Sequence, residues 1–576
     1  MRKNIALQAI VLALALAIFA FIEVNYIRAD PNALQNSLSS ETSNVTPTSA
    51  EETPAATPTP VVSPTPTPEP VFSPHAVEGT QPDKLIASTE VEADGELVDD
   101  YQAEKSIDFG YGDNYTDLRG VTTFRGDNFR SGAVYGTADI VAKKFGDYWT
   151  RSIGALTSYT GYTWTGCGWT GQPLIVEWDK ATRAVMNMYD WAKEQGTLVE
   201  VVHATMDGHV YFTELTTGKP TRDSLYLGFT FKGAGSLDPR GYPILYVGAG
   251  YYGATSAPRA LAISLIDGSV LFDLGVNETF ALRQWNMFDS APLVSAETDQ
   301  LIWPGESGIL YIVDMNTQYD EAAGTLTVDP KVTKWRYNGV RTGSQYWLGM
   351  EDSAVAWQGY LFVADNGGNL MCLDLDTLKL VWVQDVLDDT NCTPVLEMED
   401  GHPYIYISTS FHAGWRAWEG QTATIPIWKI DAETGEIVWQ VDYDCQTVKD
   451  VSGGVQGTLA CGKNKLADLI FVPVARTPGA GDGILSAISK TTGEVVWELH
   501  TQVYSWSSPV AVYDAEGNGY LIYCNSGGYM YLVDGLTGKI LDDASLGSNI
   551  EASPAVYENT VVIGTRGQLI YGFQLT

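Results

Sequence analysis

Gly248-Ala-Gly-Tyr-Tyr-Gly253 has the glycine spacing of a loop that cradles a pyrophosphate. That chemistry needs a helix opening directly behind the glycines, with its first amides aimed at the phosphates. Ala254-Thr-Ser-Ala-Pro258 and another β-run follow instead, so the segment is expected to be a loop within a sheet. Gly479-Ala-Gly-Asp-Gly483 fails in the same way. Asp514-Ala-Glu-Gly-Asn-Gly519 begins like a calcium loop, but Asn525 stands where a bidentate glutamate is required, so a hairpin turn is expected and a weak structural calcium site is the alternative. His75, His203, His209, His402, His412 and His500 show no zinc spacing. Cys167, Cys372, Cys392, Cys445, Cys461 and Cys524 include no CxxC and no adjacent pair; Cys445 with Cys461 is the first disulfide to test, against six buried thiols acting as small apolar residues. No GxSxG elbow is present, and 70 acidic residues single out no general acid/base pair.

The elements that must position any site are written more plainly. Ile430-Asp-Ala-Glu-Thr-Gly-Glu-Ile-Val-Trp439 and Ala487-Ile-Ser-Lys-Thr-Thr-Gly-Glu-Val-Val-Trp497 are two copies of one phrase: a β-run, a turn at Gly, then a strand carrying Trp. Weaker copies occur at Leu375-Asp-Thr-Leu-Lys-Leu-Val-Trp382, Ile266-Asp-Gly-Ser-Val-Leu-Phe272 and Asp534-Gly-Leu-Thr-Gly-Lys-Ile-Leu541. Units of about 45 to 60 residues, near the period of four-stranded propeller blades, start with a small residue and Pro, as at Ser508-Pro-Val and Ser553-Pro-Ala. Closing strands fall near Trp149, Leu225, Phe272, Trp335, Trp382, Trp439, Trp497 and Leu541, which predicts eight blades. Ala555 to Leu575 supplies three strands without a fourth, and Lys143 to Ile153 a fourth without a blade, so both ends should share the last blade and leave no open edge. Thr182 to Gln195 reads as one short helix inserted in the first blade.

Composition agrees: 57 glycines and 11% aromatic residues suit short strands and tight turns. A formal charge of −36 opposes nucleic acid and anionic lipid as partners. Residues 1–4 are expected to be a cytoplasmic stub and 5–22 an uncleaved transmembrane anchor, with a cleaved signal peptide as the rival. Residues 23–80 form a disordered Pro/Thr/Ser-rich stalk, 81–118 an extended leading segment and 119–576 the propeller. The protein is thus expected at the cell membrane, single-pass, with the propeller outside the cytoplasm.

The Gly-x-x-x-Trp closing strands, with Phe124-Arg-Gly-Asp-Asn-Phe-Arg-Ser-Gly132 just before the first, resemble the quinoprotein-type (PQQ-like) β-propeller repeat family over about 119 to 576. The resemblance implies an all-β eight-bladed fold in which Trp149, Trp335, Trp382, Trp439 and Trp497 dock adjacent blades. It also places Arg125-Gly-Asp127, an adhesion tripeptide by spelling, inside a fold segment. The family includes dehydrogenases that hold pyrroloquinoline quinone (PQQ) and calcium in the funnel. This chain lacks the adjacent cysteines that cover the quinone in the alcohol-oxidising class and any CxxCH haem site. No cofactor is therefore predicted, with PQQ and calcium as the alternative.

Sorting loops by blade topology places large aromatics on one rim. Trp164, Trp169, Trp285, Trp347 and Trp506 lead into inner strands; Tyr251, Tyr252, Phe411, Trp415 and Trp418 lie between second and third strands. Asp289, Glu351, Asp352, Asp450, Glu551, Arg283, Arg341 and Arg416 accompany them. Turns on the opposite face, such as Glu399-Asp-Gly-His402, are mostly short and polar. The expected ligand site is Trp164, Trp169, Trp285, Asp289, Trp347, Asp352, Trp415, Arg416 and Trp506, with no catalytic or metal residues; the alternative is that these aromatics seal the channel. The leading expectation is a non-catalytic binding or scaffold module for cell-wall glycan or a protein partner. The rival is a PQQ/calcium-dependent dehydrogenase of alcohols or sugars.

Overall fold

The computed structural model describes residues 72–341, 347–412, 422–448 and 451–576. The anchor run, the stalk before Phe72, and Trp415, Arg416, Trp418 and Asp450 lie outside the described residues. Eight antiparallel sheets follow one another along the chain as the blades of a β-propeller. In the fourth blade, Val355–Trp357, Tyr360–Ala364, Asn369–Asp374 and Leu380–Asp385 pair in sequence order. The second and third strands of a blade are packed on both faces and are almost continuously apolar, as in Leu469–Ala475. The outermost strand has one wet face and alternates, as in Val495–Thr501.

All eight closing strands lie where the repeat puts them. Phe145–Ser152 pairs antiparallel with Leu569–Leu575, setting Trp149 opposite Gly572, so the first and last propeller strands share the eighth blade. The insertion in the first blade is two helical turns, Lys180–Val185 and Asp190–Glu194, and not the single helix expected. Met186 between them is extended, and Arg183 is spent on the carbonyls of Ala192, Gln195 and Gly196, which holds the two turns together. Ile86–Ala93 adds a fifth strand to the third blade beside Lys331–Gly339. Residues 72–80, read from sequence as stalk, are fastened to the ring: Phe72 packs on Trp357 at 4.7 Å, and the Thr80 hydroxyl donates to Thr434 O. The Pro/Thr tract ends at Pro70, and an aromatic side chain with an apolar seat follows it.

The repeat phrase has a physical meaning at the seams. Each of four tryptophans lies over the turn glycine of the next blade: Trp149 on Gly218, Trp382 on Gly435, Trp439 on Gly493 and Trp497 on Gly538. A Cβ at any of these glycines would come within 3.0 Å of the indole, and all four have positive φ, so only glycine fits. The indole N–H then donates across the seam, from Trp149 to Leu215 O, Trp382 to Ala432 O, Trp439 to Lys490 O and Trp497 to Gly535 O. Trp335 differs. It is fully buried and stacks on Tyr337, its indole nitrogen makes no hydrogen bond, and the turn of the next blade has Leu378 at φ 53° in the glycine's place.

Small residues at the entries to the inner strands form a second fastening around the channel. The amide of Ala291 donates to Ser353 Oγ, Ser353 to Thr393 Oγ1, Thr393 to Thr458 Oγ1, Thr458 to Ser508 Oγ and Ser508 to Ser553 Oγ. Each link passes from one blade to the next, from the third to the eighth. At Ala291, Thr393 and Ser508 the following proline holds the residue extended, which leaves its N–H free for the neighbouring hydroxyl; Ser353 and Thr458 make the same bond ahead of Ala354 and Leu459.

Residues 120–135 plug the channel under this girdle. Gly120–Val121 joins the first blade and Val134–Tyr135 the eighth. Arg130 donates to Ala291 O and Ala354 O, and Arg125 to Leu459 O and Pro509 O. The amides of Leu237 and Leu396 donate to Thr122 O and Phe129 O. One short segment thus bonds to all eight blades. Arg125 is fully buried, which removes the adhesion tripeptide from the surface.

All six cysteines are free and buried. The Cys445–Cys461 pair is therefore not formed: Cys445 faces Ala423 within the fifth blade, and Cys461 faces Ile470 in the sixth. Asp514 closes its own turn by accepting from the amides of Glu516 and Asn518, as a hairpin turn does. Gly248 ends a strand whose partner is Ala260–Ser264, so the phosphate-like glycines form a loop between strands.

Candidate functional site: an acidic funnel with an aromatic ledge

Above the plug, the loops of the third, fourth and fifth blades converge. Asp289 leads into the inner strand of the third blade and is 2% exposed; Lys232 reaches it at 2.5 Å. Glu306, on the loop between the second and third strands of that blade, is 1% exposed. Its Oε2 accepts from Trp285 Nε1 at 2.8 Å, while Oε1 has no hydrogen-bond partner. Asp389, leading into the fifth blade, is held by Asn366 at 2.6 Å and Asn391 at 3.1 Å, with His412 Nε2 at 4.0 Å. Arg283 donates to Asn366 Oδ1 at 2.6 Å and lies 5.7 Å from the Trp285 ring centroid. Trp347 meets His412 edge-on at 4.9 Å.

Burial dominates the electrostatics. It pushes the Asp289 carboxyl up to about 6 despite Lys232, and Asp389 up to about 7 with the help of the Glu351 charge. Glu306 is raised by burial and then by Asp289 and Glu351. Burial works against the Lys232 ammonium, yet Asp289, Glu306 and Glu351 together hold it above its ordinary value. Burial lowers His412, so its imidazole is neutral near pH 7. The cluster is thus a low-dielectric environment with more carboxyl groups than cations.

A second feature of the same rim is an aromatic ledge. Strands Ala155–Thr157 and Thr163–Thr165 form a hairpin carrying Tyr159, Tyr162 and Trp164, which meet Tyr251 and Tyr252 of the second blade at centroid distances of 5.0–5.9 Å. Tyr159 and Tyr162 are 55% and 63% exposed.

The structure therefore separates the residues expected to act together. Trp285, Asp289 and Trp347 belong to the funnel, and Trp164 to the ledge. Trp169 spans the channel mouth, donating from Nε1 to Gln456 O on the sixth blade at 3.0 Å. Trp506 is half-buried beside Tyr504. Asp352 is not on the rim surface; it is buried inside the fourth blade, accepting from the Ala364 amide at 3.0 Å. Lys232, Glu306 and Asp389 were not foreseen. Nothing but their position in short loops distinguishes them in a chain with 70 acids.

Among the described residues, no three His, Cys, Asp or Glu side chains could hold a metal ion together. Lys232 and Trp285 already occupy an oxygen of Asp289 and of Glu306.

Residues 294–469 and 480–575 match the family model described as outer membrane protein assembly factor BamB. No curated protein matches the chain in sequence. Among solved structures, quinohemoprotein alcohol dehydrogenase from Comamonas testosteroni superposes with a TM-score of 0.52 at 14% identity, over 81% of this chain and 82% of that one. A quinohemoprotein alcohol dehydrogenase from Pseudomonas putida HK5 gives 0.50 at 12% identity, over 79% and 80%. BamB from Moraxella catarrhalis gives 0.44 at 16% identity, over 65% and 93%. At these identities the likeness to solved structures is one of fold. The repeats matched over residues 294–469 and 480–575 and the eight docked blades support placing this propeller with the PQQ-like β-propeller repeat family.

Proposed function

We propose that the chain is a membrane-anchored extracellular propeller, single-pass, that works without catalysis as a binding or scaffold module for cell-wall glycan or a protein partner. Of the two, the rim favours a protein that inserts a basic side chain into the funnel and rests apolar surface on the ledge. The observation carrying this reading is Glu306: a carboxylate 1% exposed, one oxygen unpartnered, beside two more buried carboxyls. A lysine or arginine from outside donates to the open oxygen and by its charge favours the ionised form of these raised carboxyls, and Trp285 and Trp347 cover its alkyl stem. Exposed tyrosines around a tryptophan have the composition of an interface hot spot. The plugged channel gives such a partner a floor to bind against. Residues 72–80 join the ring at the turns of the opposite face.

The test is titration of the full chain with a lysine-rich peptide, with an acidic peptide of equal length, and with PQQ plus calcium. Binding of the basic peptide alone is expected, weakening as the pH falls through about 6, where Asp289 takes a proton. No binding of the basic peptide, or a bound chromophore with dye reduction, would overturn the reading; the second result would establish the dehydrogenase alternative.

A further inference from the structure

A cleft on the opposite face has a volume of about 540 Å³, within the range of about 300–1,000 Å³ usual for small-molecule sites. It is built from parts the propeller does not need. The helical turns at Lys180–Glu194 interrupt the first blade, and the hairpin of Gln318–Asp320 and Thr325–Thr327 interrupts the third. The two insertions meet: Thr182 Oγ1 donates to Glu321 Oε1 at 3.0 Å, and a Cβ on Gly324 would lie 3.3 Å from Val185. Between them the leading segment at Asn114–Leu118 forms the third wall, and Arg240–Tyr242 of the second blade the floor.

The chemistry of the lining narrows the occupant. Tyr242 and Tyr319 are half-buried, with ring centroids 5.1 Å apart and planes inclined at 52°, offering apolar faces at an angle. Arg240 stacks at 4.5 Å on Tyr242 and is closed by ion pairs to Asp238 and Asp299, so it is not available to an anion. Asp117 and Asp179 are exposed at the mouth. An anionic ligand would meet these carboxylates without a counter-charge, and a wholly apolar one would strip them of water. A metal ion is also disfavoured, since no three acidic or imidazole groups converge among the described residues. What fits is a neutral molecule with hydroxyls for the carboxylates and C–H faces for the tyrosines.

We propose that this cleft, framed by the two insertions, binds a neutral oligosaccharide of two to three pyranose units. It is separate from the rim and does not depend on the rim's partner.

The experiment measures binding of chitotriose, cellotriose and trigalacturonate to the full chain by calorimetry, with Tyr319→Ala, Asp179→Asn and the rim variant Trp285→Ala. At least one neutral trisaccharide should bind saturably, and trigalacturonate should not. Affinity should fall about tenfold or more in both cleft variants and stay unchanged in Trp285→Ala. Asp179 is exposed, so its substitution keeps the test valid should Tyr319→Ala disturb the hairpin. The proposal fails if neither neutral trisaccharide binds, if trigalacturonate binds as well as they do, if both cleft variants bind normally, or if Trp285→Ala abolishes binding.

Discussion

The two ends of the axial channel hold buried charge in opposite conditions. In the plug, Arg125 and Arg130 are fully buried with no carboxylate hydrogen-bonded to them; carbonyls and a threonine hydroxyl occupy all three nitrogens of Arg130, while Arg125 bonds to carbonyls of the sixth and seventh blades and keeps its Nε unpartnered. Burial brings both guanidinium groups down to about 10, still charged at neutral pH. A few residues further up the same loops, Asp289, Glu306 and Asp389 are equally buried, raised in pKa and, in Glu306, left one hydrogen bond short. A buried charge bonded to several blades at once, as Arg130 is, holds a fold together. One left short marks a place for something else.

The strongest way to test this contrast is to break the filled end. Arg130→Met removes four hydrogen bonds and leaves carbonyls of the third and fourth blades unsatisfied inside the ring. A loss of about 4–5 kcal/mol is expected, since each orphaned buried acceptor costs about 1–3 kcal/mol. A urea unfolding midpoint close to that of the parent would show that the plug only fills space. Next in size is Trp382→Ala at the seam, expected to cost about 3–5 kcal/mol. Trp285→Ala at the half-buried rim should cost less than about 1.5 kcal/mol while abolishing peptide binding. Equal losses for the two tryptophans would mean that the rim indole is as structural as the seam indole.

The pH dependence tests the unfilled end. Asp289 and Asp389 titrate near 6 and 7 in the folded protein and near 3.9 when unfolded. Between those values the folded state binds more protons than the unfolded one, so stability rises as pH falls from about 7.5 towards 5. The melting temperature should climb by a few degrees over that interval, and Asp389→Asn should flatten the climb. A parallel curve in the variant would place the protonation elsewhere among the chain's many acids.

The ring was legible because its repeats are local: a turn glycine, an alternating strand and a Trp state one blade within a dozen residues. The shared last blade followed from counting strands, since an open edge is costly. The sites were far less legible. Asp179, Tyr242 and Tyr319 wall one cleft from three blades, and no spacing links them. The one sequence trace is the longer stretch from Asp314 to Trp335, which delays the closing strand and marks the hairpin insertion. Asp352 shows the opposite failure: its position beside the inner strand suggested the rim, but the strand direction turns its carboxyl inward to the Ala364 amide.

The most finely balanced effect concerns the imperfect repeat at Leu378, where the seam and the turn compete. Five other blades have glycine at this turn position, with φ between 70° and 81° at Gly218, Gly268, Gly435, Gly493 and Gly538. Leu378 adopts φ 53°, a left-handed conformation that costs an L-residue about 1–2 kcal/mol. Backbone strain alone therefore favours Leu378→Gly. Packing opposes it: the side chain is 2% exposed within the cluster containing Trp335, Leu375 and Val383, and emptying such a site costs about 2–5 kcal/mol. Glycine's greater unfolded freedom adds about 0.5–1 kcal/mol against the change. Leu378→Gly should thus destabilise by about 0.5–5 kcal/mol net, with about 3 kcal/mol as the centre, although it restores the repeat's own residue. In this seam Leu378 fills space that the glycine blades give to an indole, and a raised urea midpoint in the variant would show instead that Trp335 can settle onto a bare turn as its four counterparts do.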